Sequence, residues 1–306
     1  MPYLLPAMLL IVLEQMMVGF SLTTQLVLLA VAMATTGIPH GALDYLIFRQ
    51  QEQSAGRKYS LFRFLCYYLG LMAFYALFWW INPGLSLLLF LLIASWHFAD
   101  NDFSALPLHH KADNLIRVAF GGWLLLVLIF GHTSEILVYL QQIVGTQNFL
   151  LRFAQWYRPY EAAVFWMGLP GWILMLWMRL RWQGLVFRQF QSIITLMFLL
   201  FLCRQLPLIV GFAVYFAIWH SLQSFRSIWL YLRSNNKLFR SVRQLVVPGL
   251  PFVLGAFFGL ILFFFWSSAA PDALTPLWIF LSLITLPHGL LMHEVFVQGT
   301  KKKQAS

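Results

Sequence analysis

The stretch Gly37-Ile38-Pro39-His40-Gly41-Ala42-Leu43-Asp44 sets a histidine and an aspartate one helical turn apart inside a long apolar run. Hydrocarbon is a costly medium for both groups, so an intramembrane His and Asp mark a site rather than filler. A comparable His recurs in Ser95-Trp96-His97-Phe98-Ala99-Asp100, in Ile218-Trp219-His220-Ser221 and in Leu286-Pro287-His288-Gly289. Whether these four histidines meet decides both fold and function.

Composition fixes their environment. The chain has 306 residues, 61% hydrophobic and 10% charged, with mean hydropathy +0.76; soluble domains carry about 25% charged residues. Since roughly 20 apolar residues cross a bilayer, the expectation is an all-α, polytopic transmembrane helical bundle of about 8–10 spans. Residues 1–299 read as a single transmembrane domain and 300–306 as a basic cytoplasmic tail. Candidate helices fall near 3–20, 24–47, 61–82, 84–103, 115–139, 161–181, 187–204, 207–232, 248–268 and 274–298. The first, interrupted by Glu14, reads as a span rather than a removed signal peptide.

The net charge of +10 reflects topology, with no basic-aromatic module for nucleic acid. Alternate connections hold Arg49, Arg57, Lys58 and Arg63, then Lys111 and Arg117, then Arg179, Arg181 and Arg188. Arg226, Arg233, Lys237, Arg240 and Arg243 follow, and Lys301, Lys302 and Lys303 close the chain. Only Arg152, Arg158 and Arg204 fall on the other side, so both termini are expected in the cytoplasm and the protein in the cell inner (plasma) membrane. Cys66 and Cys203 lie in separate apolar runs and suggest no disulfide framework.

On this layout His40, His97, His220 and His288 sit on helices that all run inward. Each is about 13–16 residues from its outer end, which levels the four to within roughly 5 Å at 1.5 Å per residue. Neutral imidazole is a common ligand for Fe, Zn and Cu. Asp44 and Asp100 share a helical face with His40 and His97, where each could accept the second ring N–H and fix the tautomer. Alternatively Asp100 and Asp102 simply begin the cytoplasmic loop; near a metal held by neutral histidines, such aspartates would offset its charge. His109, His110 and His132 read as solvated or interfacial.

Aromatic residues make up 18% of the chain. Most are lipid-facing, but Trp96, Phe98 and Trp219 adjoin the histidines as candidates to line an apolar cavity for a long lipophilic substrate. No nucleophile–His pair, phosphate loop or dinucleotide fingerprint is present, so hydrolysis and group transfer lack their usual parts. A His/Asp-based transporter or proton relay, or a non-catalytic membrane assembly factor, would use the same polar residues.

At these residues the sequence resembles the Brp/Blh family of membrane beta-carotene dioxygenases. Gly37 to Asp44 looks like its first signature almost letter for letter; His97-Phe98 with Asp102, His220-Ser221 and Pro287-His288 are similar to its later ones. The resemblance implies cleavage of beta-carotene by O2 to retinal at Fe(2+) held by histidines alone, and carries that role onto His40, His97 and His220. It departs at Ser224, where the family has a second His four residues after the first, and at His293, where the family's last helix usually has an acidic residue. His288, at the matching depth, or His293, roughly 7 Å deeper, then completes the shell, unless the site has three protein ligands.

Overall fold

A computed structural model describes residues 3–103, 111–181, 187–235, 241–266 and 274–304. Fifteen α-helical segments and no strand occur among them: α1 (Leu4–Met16), α2 (Leu22–Ala32), α3 (Ile38–Gly41), α4 (Asp44–Ser54), α5 (Leu61–Ile81), α6 (Pro83–Asp102), α7 (Lys111–Leu128), α8 (Thr133–Val144), α9 (Phe149–Tyr157), α10 (Glu161–Arg181), α11 (Phe187–Arg204), α12 (Leu208–Val214), α13 (Leu222–Asn235), α14 (Val242–Trp266) and α15 (Leu274–Gln304). Eight continuous helical stretches are long and apolar enough to cross a membrane, and Leu4–Met16 and Phe190–Arg204 are shorter apolar helices. At 1.5 Å per residue, 13 residues reach about 20 Å, short of a hydrocarbon core of about 30 Å. The protein is a polytopic helical bundle.

Local chemistry sets the helix starts. Ser21, Ser60 and Asn82 each accept a hydrogen bond from a first-turn backbone N–H of α2, α5 and α6, satisfying a donor the helix cannot. Pro83 follows Asn82 at the first helical position, where a missing N–H costs nothing.

Two stretches depart from regular α-helix. Between α2 and α3 the chain makes a π-helical turn, Met33–Gly37, and between α12 and α13 a second one, Tyr215–Ser221. One extra residue per turn re-aims the side chains beyond it, and such turns concentrate at functional sites. The helix expected over 24–47 is also broken at Ala42–Leu43, so that Asp44 opens α4.

Burial divides the bundle into an inner and an outer set. In the apolar windows of Leu208–Asn235 and Leu274–Phe296, 72% and 67% of residues are buried, against 11% for Arg243–Phe263. The helices carrying His220 and His288 are thus central, whereas α14 lies outside with α5. Ion pairs to buried aspartates tie neighbouring helices together: Arg117 of α7 to Asp100 of α6 at 3.0 Å, and Arg179 of α10 to Asp113 of α7 at 2.9 Å.

The expected single helix over 115–139 is two, because α7 ends at a 3-10 turn, Phe130–His132, before α8. His132 is half-buried there. Its Nε2–H donates to the Leu206 carbonyl at 2.9 Å, and Arg204 donates to the Gly131 carbonyl at 2.6 Å. The basic side chain of Arg204 thus caps a helix end instead of facing water. Helix α9 was hidden by its nine-residue length; one face, Leu150, Leu151, Ala154 and Tyr157, is buried. His109 and His110 lie outside the described residues. The expected tail is helical in its backbone as far as Gln304.

Candidate metal centre

The four histidines converge. His40 ends α3 behind the first π-turn, His97 is on α6, His220 is within the second π-turn and His288 is on α15. Their rings form a closed circuit, with centroids 5.0 Å apart for His40–His288, 4.9 Å for His288–His97, 4.9 Å for His97–His220 and 5.6 Å for His220–His40. Adjacent planes stand at 76° to 79°. Ligand nitrogens of His40, His220 and His288 all lie within 4.8 Å of one another. All four side chains are buried.

The ring nitrogens fall into two groups. Nδ1–H of His40 donates to the Thr36 carbonyl at 3.1 Å, a bond the π-turn makes available. Nδ1–H of His288 donates to Asp44 at 2.8 Å. The Asn101 amide lies 3.4 Å from Nδ1 of His220 and donates to its carbonyl at 3.2 Å. By contrast, Nε2 of His97, His220 and His288 is buried without a partner. Leaving one such atom unpaired costs about 1–3 kcal/mol, so three converging orphans need a common explanation. A metal ion supplies one: an imidazole whose Nδ1–H is held by an acceptor, as in His288, presents its Nε2 lone pair to a borderline cation. Asp44, buried at 1% exposure, stands directly behind His288 and would offset part of the charge of an ion held there.

The carboxylates are arranged otherwise than helical spacing suggested. Asp44 does not serve His40. The break at Ala42–Leu43 turns it toward His288, 244 residues away in sequence, and its other oxygen accepts from Tyr68 Oη at 2.9 Å. Asp100 does not serve His97 but accepts from Arg117 at 3.0 Å and from His293 Nδ1–H at 2.8 Å. Asp102 accepts from Tyr215 Oη at 3.0 Å and Trp219 Nε1–H at 2.8 Å, binding α6 to the second π-turn. His293 is therefore committed to Asp100, with 41% of its side chain exposed, and stands outside the ring circuit. Ser224, where the resembled family has a His, is fully buried with no partner for its hydroxyl.

A cavity of about 480 Å³ opens on the cluster, lined by His40, His97, His220, His288 and mostly apolar side chains. Of the three aromatic candidates only Phe98 lines it, with its ring 4.5 Å from that of His220. Trp96 packs on His293 at 4.9 Å, and Trp219 is held by Asp102. Phe216, stacked on His220 at 5.4 Å, and Tyr68 line the cavity instead. Asn101, one turn from His97, was legible by spacing; Tyr68 and Phe216 carry no sequence signal that separates them from other membrane aromatics.

The family model described as "Beta-carotene 15,15'-dioxygenase" matches residues 31–295, which include all four histidines. A beta-carotene 15,15'-dioxygenase of an uncultured marine bacterium, 66A03, is 28% identical over 272 residues, covering 85% of this chain and 90% of that protein. No solved structure matches the chain. With the match running from the first π-turn almost to the end of the last apolar helix, the chain belongs to the beta-carotene 15,15'-dioxygenase family.

Proposed function

We propose that the protein cleaves the central double bond of beta-carotene, or a closely related carotenoid, with O2 to give retinal, at Fe(2+) held by His40, His97, His220 and His288. The observation that carries the reading is the set of three buried, unpartnered Nε2 atoms beside His40 at the end of an apolar cavity. Both oxygen atoms of O2 end in the products, one on each carbon of the broken double bond, and no other reductant is consumed. Iron supplies the redox chemistry when bound; the protein supplies ligands, orientation and exclusion of water.

The chain's own groups divide that work. Asp44 holds the Nδ1 proton of His288 and Thr36 that of His40, so each presents Nε2 to the ion. Phe98 and Phe216 pack against His220 and shield the cluster from water, while the apolar lining accepts a polyene without polar cost. Asp102 acts at one remove, fixing the π-turn that carries His220. The place of the missing ligand at Ser224 is taken by His288. The basic connections favour a multi-pass protein of the cell inner membrane with both termini cytoplasmic.

Co-expression in a host that accumulates beta-carotene tests the reading. Loss of colour, appearance of retinal and iron in the purified protein are expected together. Iron without retinal would contradict the reaction and favour a structural role for the metal.

A further inference from the structure

One side of the cavity is lined by the outer helices α5 and α14. On the outer helix α14, Phe252 meets Phe64 of α5 at 5.8 Å and stacks on Tyr45 at 4.2 Å. Eleven residues on, Phe263 of the same helix meets Phe280 of α15 at 5.9 Å. At 1.5 Å per residue these two contacts stand about 16 Å apart along α14. Between them the cavity-lining residues of α14 are Gly255, Ala256, Gly259 and Leu260, and Leu65 and Leu69 of α5 line the same cavity. Leu65 and Leu69 are 39% and 56% exposed, on a surface that faces lipid in a membrane. A β-carbon added at Gly255 or Gly259 would meet nothing within 4 Å. The space beside them is open.

We propose that this window between α5 and α14 is the lateral gate by which the carotenoid enters from the bilayer, with Gly255 and Gly259 as its sill. The inference rests on the proposed carotenoid reading and adds the route. Three observations carry it. The window is continuous with the cavity that ends on the four histidines. It lies on a lipid-exposed side of the bundle, where α14 has 11% of its apolar window buried. Its rim is apolar on both helices, so a polyene crosses it without leaving a hydrocarbon environment. The glycines have no packing role that explains them, since neither brings another backbone close.

The test adds bulk to the sill and measures carotenoid binding separately from cleavage. Gly259→Trp and Gly255→Leu would be purified beside wild type and Phe258→Trp. Phe258 is 63% exposed on the same helix and does not line the cavity. Beta-carotene uptake from vesicles is followed by its visible spectrum under anaerobic conditions, and iron per chain verifies folding. Uptake is expected to slow by about tenfold or more in both sill variants, on the scale by which a pocket rejects excess bulk, with iron unchanged and Phe258→Trp like wild type. Wild-type uptake rates in both iron-replete sill variants would overturn the window. Uptake by wild type without retinal on admitting air would overturn the reaction and leave the window standing. No uptake by iron-replete wild type would overturn both. Should a sill variant lose iron, the milder Gly259→Leu takes its place under the same criterion.

Discussion

Asp44 and His288 are joined by a 2.8 Å hydrogen bond across 244 residues of sequence. That contact locks the first helical hairpin of the chain to its last apolar helix at the level of the histidine circuit. Because Tyr68 donates to the other carboxylate oxygen at 2.9 Å, the aspartate is fixed from two sides and has no freedom to serve His40 as well.

Removing that support leaves His288 present but free to turn. Asp44→Ala is expected to weaken iron binding by about 10–100-fold, as loss of a ligand's hydrogen-bond acceptor usually does. Tyr68→Phe keeps the carboxylate and is expected to have a smaller effect of the same sign. Competition with a chelator of known affinity measures both; unchanged affinity in Asp44→Ala would remove the aspartate from the site.

The difference between sequence and structure at this pair has a plain physical cause. A separation of four residues puts Asp44 under His40 only if the helix is continuous. The π-turn at Met33–Gly37 and the break at Ala42–Leu43 rotate the two side chains apart, and neither is encoded in apolar periodicity. The four histidines were legible because depth depends on counting residues along each span, which tolerates a local irregularity. Their partners were not, because a hydrogen bond depends on azimuth, which one inserted residue changes by about 100°. The same limit explains Asp100, whose hydrogen-bond partners, Arg117 and His293, come from other helices. It explains Trp96 and Trp219 too: a neighbour in sequence is turned about 100° from the histidine, which carries these two out of the cavity while leaving Phe98 at its wall.

Asp102 joins α6 to the π-turn through Tyr215 and Trp219. Tyr215→Phe removes one donor and leaves a carboxylate oxygen short, at a cost of about 1–3 kcal/mol. A lower thermal midpoint in detergent with iron still bound is the expected result. An unchanged midpoint would show that the Tyr215 bond contributes nothing to holding the turn.

Two neighbouring glycines give opposite expectations. A β-carbon at Gly121 of α7 would run into the backbone of Ser95 on α6, which cannot yield, and Ser95 is two residues before His97. Gly121→Ala is expected to destabilise by about 1–3 kcal/mol or more through forced separation of the helices. At Gly122 the same carbon meets nothing within 4 Å, so Gly122→Ala is expected to gain about 0.5–1 kcal/mol from reduced backbone freedom in the unfolded chain. Thermal or denaturant unfolding of the pair in one detergent checks the sign of each.

Iron per chain across five purified single variants tests the central claim most directly. His40→Ala, His97→Ala, His220→Ala and His288→Ala are each expected to lose stoichiometric iron while inserting normally, whereas His293→Ala, bound to Asp100 outside the circuit, keeps it. Full iron in the four circuit variants, or loss confined to His293→Ala, would contradict the four-histidine centre.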